Sequence, residues 1–358
     1  MIVDCHNDTI LKVLYAGEDF GRESPSLHMD LPKIRSLESA MTLFFAAWVD
    51  PIFPGEAAFD QAVRLLRRIR RLAGEHPEEL GVAGDLGGVQ KLVGEGRTAM
   101  VLSVEGGQAI ADDPRNVERL HQEGARLFTL SHNESPSWVG SCSAEEDRGL
   151  DGVGRDVVET MNRVGMIVDL AHASEQSIRD AARISSDPIV SSHSAARAVF
   201  DSKRGLSDDA IRCIADTGGV IGLMFYPGVM APMPEGMEAP SAWMMAKFAK
   251  INDDPGLTTE EKAARKIPLI SEGFPKPDRS PGVEVVVDHI DHVVRLVGED
   301  SVAIGSDFDG IPYSFTGLEH IGKLGNLSDE MRSRGYSEDS IEKIFGANML
   351  RVMKTVLG

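Results

Sequence analysis

His6 and Asp8 stand two residues apart at the end of the apolar run Met1-Ile2-Val3-Asp4-Cys5. In an extended segment, residues i and i+2 face the same side, so both side chains can reach one metal ion. Glu105 follows another apolar run, 99–104, and precedes Gly106 and Gly107. His132 follows 126–131, His172 follows 166–171, His193 follows 188–192 and Asp307 follows 302–306. Imidazoles and carboxylates are the donors that zinc and similar divalent ions take. Three histidines with two or three carboxylates exceed the needs of one tetrahedral zinc. They suit two ions that share a carboxylate bridge.

Other patterns carry less. His289-x-Asp291 repeats the spacing of the first pair inside a helix-period segment, where residues two apart do not face each other. Asp288, His289 and His292 form a rival metal set, in which Asp288 and His292 could share a helix face, but with no strand-end pocket beside them the three read as a solvated helix surface. Asp307-Phe308-Asp309-Gly310 has the form of an aspartyl-phosphate phosphatase motif. That motif follows a first strand and precedes threonine, whereas this one follows the last apolar run and precedes Ile311. No His-Glu-x-x-His, Gly-x-Ser-x-Gly or phosphate-loop pattern occurs.

Residues so far apart in sequence need a scaffold that gathers them. Eight apolar runs, at 1–6, 41–49, 99–104, 126–131, 166–171, 188–192, 219–225 and 302–306, read as strands. Helix-period segments alternate with them at 56–75, 114–123, 153–164, 174–185, 207–217 and 283–297, and two more close the chain at 338–345 and 348–356. Runs such as Ile167-Val168-Asp169-Leu170-Ala171 are apolar on both faces, as buried parallel strands are. The fold class expected is α/β, a (β/α)8 TIM-type barrel. An open doubly wound sheet is the alternative, but no Gly-x-Gly-x-x-Gly opens the first helix. In a barrel, the seven residues lie at the same end of six strands and converge on one mouth. Residues 226–281 break the rhythm as a long excursion between strands seven and eight, rich in Pro, Gly and Met, with a helix-like piece at 242–250. A connection of that length serves as a lid or as a peripheral packing surface. With no repeat and no low-complexity linker, 1–358 reads as one hydrolase barrel domain.

With 42% hydrophobic and 26% charged residues over 358 positions, the chain can bury a core without staples, which excludes disorder and a disulfide scaffold. Its net charge of −19 opposes nonspecific binding to nucleic acid or anionic membrane, while leaving room for a local cation. Three cysteines without a Cys-x-x-Cys pattern suit reduced thiols. No leader, membrane-length apolar run or lipid-anchor signal is seen. A soluble, cytoplasmic protein is expected, with no nucleic-acid or membrane partner and with a homodimer among the open oligomeric states.

Taken together, these stretches resemble the membrane (renal) dipeptidase family, binuclear zinc metallopeptidases on amidohydrolase-like barrels, in its soluble bacterial form. The matching residues are His6-Asn7-Asp8, Val104-Glu105-Gly106-Gly107, Leu130-Ser131-His132, Asp169-Leu170-Ala171-His172, Ser192-His193-Ser194, Lys203-Arg204, Asp288-His289-Ile290-Asp291-His292 and Gly305-Ser306-Asp307-Phe308-Asp309-Gly310. They occur in family order over most of the chain. The resemblance implies two divalent ions, most suitably zinc, with His6 and Asp8 on one, His172 and His193 on the other, and Glu105 bridging. It implies Asp307 as the proton-transfer carboxylate, His132 at the scissile carbonyl oxygen, and Arg204 on the free carboxylate of a small dipeptide substrate. The implied reaction is hydrolysis of L-Xaa-L-Xaa or L-Xaa-D-Xaa by a hydroxide between the metals; another amide or a lactone is the alternative substrate. Two departures bear on substrate preference: Gly205 stands where Asn commonly follows the arginine, and the stretch 133–138 varies within the family.

Overall fold

The computed structural model describes residues 1–39, 41–233, 240–270 and 280–358. Eight parallel strands form its centre: β1 Ile2–Asn7, β2 Met41–Trp48, β3 Thr98–Glu105, β4 Ala125–Thr129, β5 Ile167–Asp169, β6 Ile189–Ala196, β7 Ile221–Leu223 and β8 Val302–Ile304. Each pairs with the next, and β8 returns to β1 with Ile304 opposite Asp4, so the sheet closes into the expected (β/α)8 barrel.

Side-chain alternation explains why the runs are apolar throughout. On β3, Ala99 and Val101 join a cluster that also takes Val3, Phe44, Leu127, Ile167, Val190 and Ala303 from the other strands. Residues from every side can meet only inside the barrel. Met100, Leu102 and Val104 point the other way, into the helix-facing core. The same cluster holds Met349, Val352, Met353 and Val356 of the last helix, Asn348–Val356, which plugs the end where the strands begin. Chemistry is left to the opposite end, where Glu105 continues the inward series 99, 101, 103.

The surrounding helices begin where side-chain oxygens can cap them. Asp151 accepts from the N–H groups of Val153 and Gly154, Ser174 from that of Ser177, and Ser207 from that of Ala210. The helix Glu56–Glu75 buries Phe59, Ala62, Leu66, Ile69 and Ala73, a three–four spacing that lays one stripe on the barrel.

Several expectations shift in detail. Strand β6 runs past residue 192 to Ala196, so His193 lies within it, at an irregularity in the pairing with β7 between Ser191 and Ser194. A bulge there redirects side chains. The short strand Leu80–Val82 and the helix Leu86–Gly94 were not anticipated. That strand occupies the lower half of the β3 edge whose upper half pairs with β4.

In the excursion, the helix-like piece expected at 242–250 lies within the helix α1, Pro240–Asn252. A second helix, α2 Thr259–Lys266, starts with a capping box between Thr258 and Glu261 and runs into the turn Ile267–Ile270. Residues 234–239 and 271–279 of the excursion lie outside the described residues. Among the described residues, no helix is long and apolar enough to cross a membrane.

Candidate metal centre

The structure gathers His6, Asp8, Glu105, His132, His172, His193 and Asp307 at the C-terminal mouth of the barrel, with Arg204 on the wall of the same cavity. Glu105 is central. Its Oε2 lies 3.5 Å from His6 Nε2, which is itself 3.5 Å from Asp8 Oδ2. Its Oε1 lies 3.3 Å from His172 Nε2 and 3.5 Å from His193 Nε2. One carboxylate therefore turns one oxygen to each of two donor pairs.

Hydrogen bonds behind the rings set which nitrogen faces inward. Ser192 Oγ donates to Asp169 Oδ2 at 2.6 Å, so its remaining capacity is to accept from His193 Nδ1 at 2.9 Å. Asn133 Oδ1 is an acceptor 3.3 Å from His172 Nδ1. Both rings are then protonated on Nδ1 and present bare Nε2 lone pairs, only 2.9 Å apart. Two lone pairs at that distance repel unless a cation lies between or beside them. Around them, His6 Nε2, Asp8 Oδ1 and Glu105 Oε1 are buried without a hydrogen-bond partner. Buried polar atoms are nearly always satisfied, so this set of imidazole nitrogens and carboxylate oxygens fits divalent metal.

The electrostatics point the same way. Burial, reinforced by nearby Arg204 and the neighbouring imidazoles, holds His172 and His193 well below the ordinary histidine range. It brings His132 down to about 3. Burial also opposes a charge on His6, yet the carboxylates of Glu105 and Asp8 outweigh it and hold that imidazole well above its usual value. Desolvation raises Glu105, and it drives Asp307 far above the carboxylate range with help from the charges of Asp8 and Glu105. A buried acidic pocket that pulls a proton onto its one paired imidazole is a pocket that attracts cations.

The last loop is tightly built. His172, Asp307 and Asp309 all have left-handed backbones, with φ of 64°, 61° and 68°. Such strain concentrates at functional sites. A Cβ on Gly310 would fall 2.2 Å from Asp8 Oδ2 and 2.6 Å from Asp307 Oδ1, so only glycine lets the loop approach. Asp309 itself turns away from the cavity. It accepts from Thr9 Oγ1 at 2.6 Å, Lys12 Nζ at 3.0 Å and the His28 N–H at 2.8 Å. It anchors the loop that carries Asp307. Arg204 Nη2 donates to the His193 carbonyl at 2.9 Å, which ties the guanidinium to the rim.

The second histidine cluster needs correction. His289 is not on a solvated face: it is fully buried, accepts from the Ala196 N–H at 3.0 Å and donates to the Met230 carbonyl at 3.0 Å. It joins its helix to the end of β6. Asp288 and Asp291 pair with Arg334, and His292 with Asp208. None of these faces the cavity. Sequence reasoning also missed Trp48, Met224 and Tyr226, which line the cavity from the ends of β2 and β7. The strand-end rule would have found them had it been applied to apolar and aromatic residues as well as to ionisable ones.

Comparison with known proteins identifies the family. A family model described as membrane dipeptidase (peptidase family M19) matches residues 1–357. Dipeptidase tcpJ of Claviceps purpurea (strain 20.1) is 33% identical over 298 residues, which is 83% of this chain but only 59% of the length of that curated relative. The crystal structure of the probable dipeptidase PvdM from Pseudomonas aeruginosa superposes with a TM-score of 0.82 at 27% identity, over 100% of this chain and 95% of that one. A metallo peptidase from Rhodobacter sphaeroides, liganded with a phosphinate mimic of the dipeptide L-Ala-D-Ala, shares the fold with a TM-score of 0.79 at 24% identity, over 99% of each chain. With a family model matched from end to end, the chain belongs to the membrane dipeptidase family, peptidase family M19.

Proposed function

We propose that this protein is a metal-dependent dipeptidase that hydrolyses small dipeptides, L-Xaa-L-Xaa or L-Xaa-D-Xaa, at a binuclear centre. The observation that carries the reading is Glu105, whose two oxygens face two separate donor pairs, His6 with Asp8 and His172 with His193. In this reading those five residues hold two divalent ions, and the donor types favour zinc. Ions bound there supply Lewis-acid polarisation of the scissile carbonyl and an acidified water.

The chain's own side chains do the rest. Asp307 as carboxylate, its proton affinity raised by burial, takes the proton of the attacking water and returns it to the leaving amine. His132 stays neutral down to about pH 3 and donates a hydrogen bond to the carbonyl oxygen as charge builds there. Arg204, the only Lys or Arg among the described residues lining the cavity, offers its planar fork to the free carboxylate one residue beyond the cleaved bond. The cavity volume of about 210 Å³ supports a small substrate, since pockets that take drug-sized ligands measure roughly 300–1,000 Å³. The dipeptide mimic bound by the Rhodobacter sphaeroides relative supports the same class. We take the chain as one domain, because Met1 packs against Gly346 of the closing segment. A cytoplasmic setting is supported by three cysteines that are all free.

Elemental analysis paired with dipeptide hydrolysis tests the reading. About two zinc per chain and turnover of free dipeptides, with little turnover of C-terminally amidated ones, is the expected result. Two metals without dipeptide turnover would move the assignment to another amide or a lactone. Arg204→Ala should raise KM for free dipeptides by about tenfold or more, in line with loss of a charge-assisted hydrogen bond, and should erase discrimination against the amides. Equal loss on both substrates would remove Arg204 from carboxylate recognition.

A further inference from the structure

The excursion supplies one wall of the cavity. Met244 and Phe248, four apart on one face of α1, line it together with Ile270 from the turn after α2. Trp48, Met224 and Tyr226 line it from the strand ends. Among the described residues, the acids that reach the cavity belong to the metal centre, and Arg204 is its one cation. A second cation stands close by but is already paired. Lys266 Nζ lies 2.8 and 3.0 Å from the two carboxylate oxygens of Asp50, and the side chains are only 3% and 4% exposed. Asp50 follows Trp48 by two residues, so the pair fastens the excursion to the strand end that carries Trp48. Lys266 Nζ also lies 5.6 Å from the centre of the Phe248 ring.

Such a wall discriminates by desolvation. A charged substrate side chain pressed against Met244, Phe248 and Ile270 would lose water without gaining a counter-ion from these side chains. An apolar side chain would leave water for rings and methyl groups.

The geometry points to an apolar side-chain subsite: Met244, Phe248 and Ile270, latched onto the barrel by Lys266 and Asp50, select dipeptides with uncharged apolar side chains over those with acidic or basic ones. This inference rests on the dipeptidase reading above and names its substrate class. Lys266 and Asp50 act as positioning residues, since they hold the wall rather than touch substrate.

The test is a kcat/KM panel on the metal-loaded protein with Gly-Gly, Ala-Ala, Ala-Leu, Ala-Phe, Ala-Glu and Ala-Lys. Ala-Leu and Ala-Phe should exceed Ala-Glu and Ala-Lys by at least about tenfold, the scale on which pockets sort side chains. Phe248→Ala should lower the ratio of Ala-Leu to Gly-Gly by about tenfold. Lys266→Met should raise KM for Ala-Leu more than it lowers kcat, and Lys266→Arg should restore the wild-type ratio. Should Lys266→Met fail to fold, Phe248→Ala on its half-exposed helix decides the matter. Cleavage of Gly-Gly and Ala-Ala with equal efficiency across the panel overturns the subsite while leaving the dipeptidase reading intact. No turnover of any dipeptide by metal-loaded protein overturns both.

Discussion

Asp4 on β1 and Asp169 on β5 each grip by two atoms a serine in, or two residues past, the neighbouring strand. Asp4 accepts from the Ser306 N–H at 2.7 Å and from its Oγ at 2.6 Å. Asp169 accepts from the Ser192 N–H at 2.8 Å and from its Oγ at 2.6 Å. Each serine directly precedes a site residue, Asp307 in one case and His193 in the other. The two clamps thus join the strand pairs beneath the two sides of the site. They differ in what lies beyond the hydroxyl. Ser192 Oγ goes on to the His193 ring and decides which nitrogen carries its proton. Ser306 Oγ accepts from the Phe308 N–H at 3.1 Å and shapes the left-handed loop that carries Asp307. An imidazole ligand needs its far nitrogen occupied, so support for it goes to the ring. A carboxylate has no tautomer to choose, so support for it goes to the backbone. Burial nonetheless pushes the Asp4 carboxyl up to about 6, against the hydrogen bonds it accepts from Ser306.

Substitutions can break this contrast at three levels. The largest effect is expected between the clamps, at Glu105. Glu105→Gln should lose metal from both sides and lower the rate by more than the roughly 10–100-fold typical of an outer partner. Full metal content by elemental analysis would separate the two sides and undo the bridging role. Next comes stability. Asp169 also accepts from Thr129 Oγ1 and, at 3.0 Å, from the Ala171 N–H, so Asp169→Ala strands four buried donors where Asp4→Ala strands three, the two of Ser306 and, at 3.5 Å, the His6 N–H. Each stranded group costs about 1–3 kcal/mol before relaxation. Denaturant unfolding of the metal-free protein should therefore show the larger loss for Asp169→Ala, and equal losses would mean the extra donor contributes nothing. The finest test separates ring from loop. Ser192→Ala should weaken metal affinity by about 10–100-fold in a chelator competition. Ser306→Ala should act mainly on kcat, and comparable metal loss from both would erase the distinction.

Much of this protein could be read before any coordinates. The eight strands were visible because parallel strands buried on both faces leave continuous apolar runs. The histidines and carboxylates at the mouth were visible because they stand at the ends of such runs, and a barrel brings strand ends together, whereas Arg204 follows no such run and came from the family resemblance alone. Apart from the strand Leu80–Val82 with its helix and the cavity residues Trp48, Met224 and Tyr226, what escaped notice has a partner remote in sequence. Lys266 meets Asp50 216 residues away, Asp4 meets Ser306 302 residues away, and His289 is buried against residues 93 and 59 positions distant. No periodicity records such pairs. His289 looked solvated because its helix neighbours Asp288 and His292 are polar, and only packing shows that its own face turns inward.

Residue order alone determined the fold class and the histidines and carboxylates gathered at the mouth, because local hydrophobic pattern and strand-end position are both written in one dimension. The closed barrel decided the rest: which oxygen of Glu105 faces which pair, which nitrogen of each histidine is bare, and that the excursion lies against the cavity. Those depend on side-chain direction and on hydrogen bonds between strands, which exist only once β8 has paired with β1.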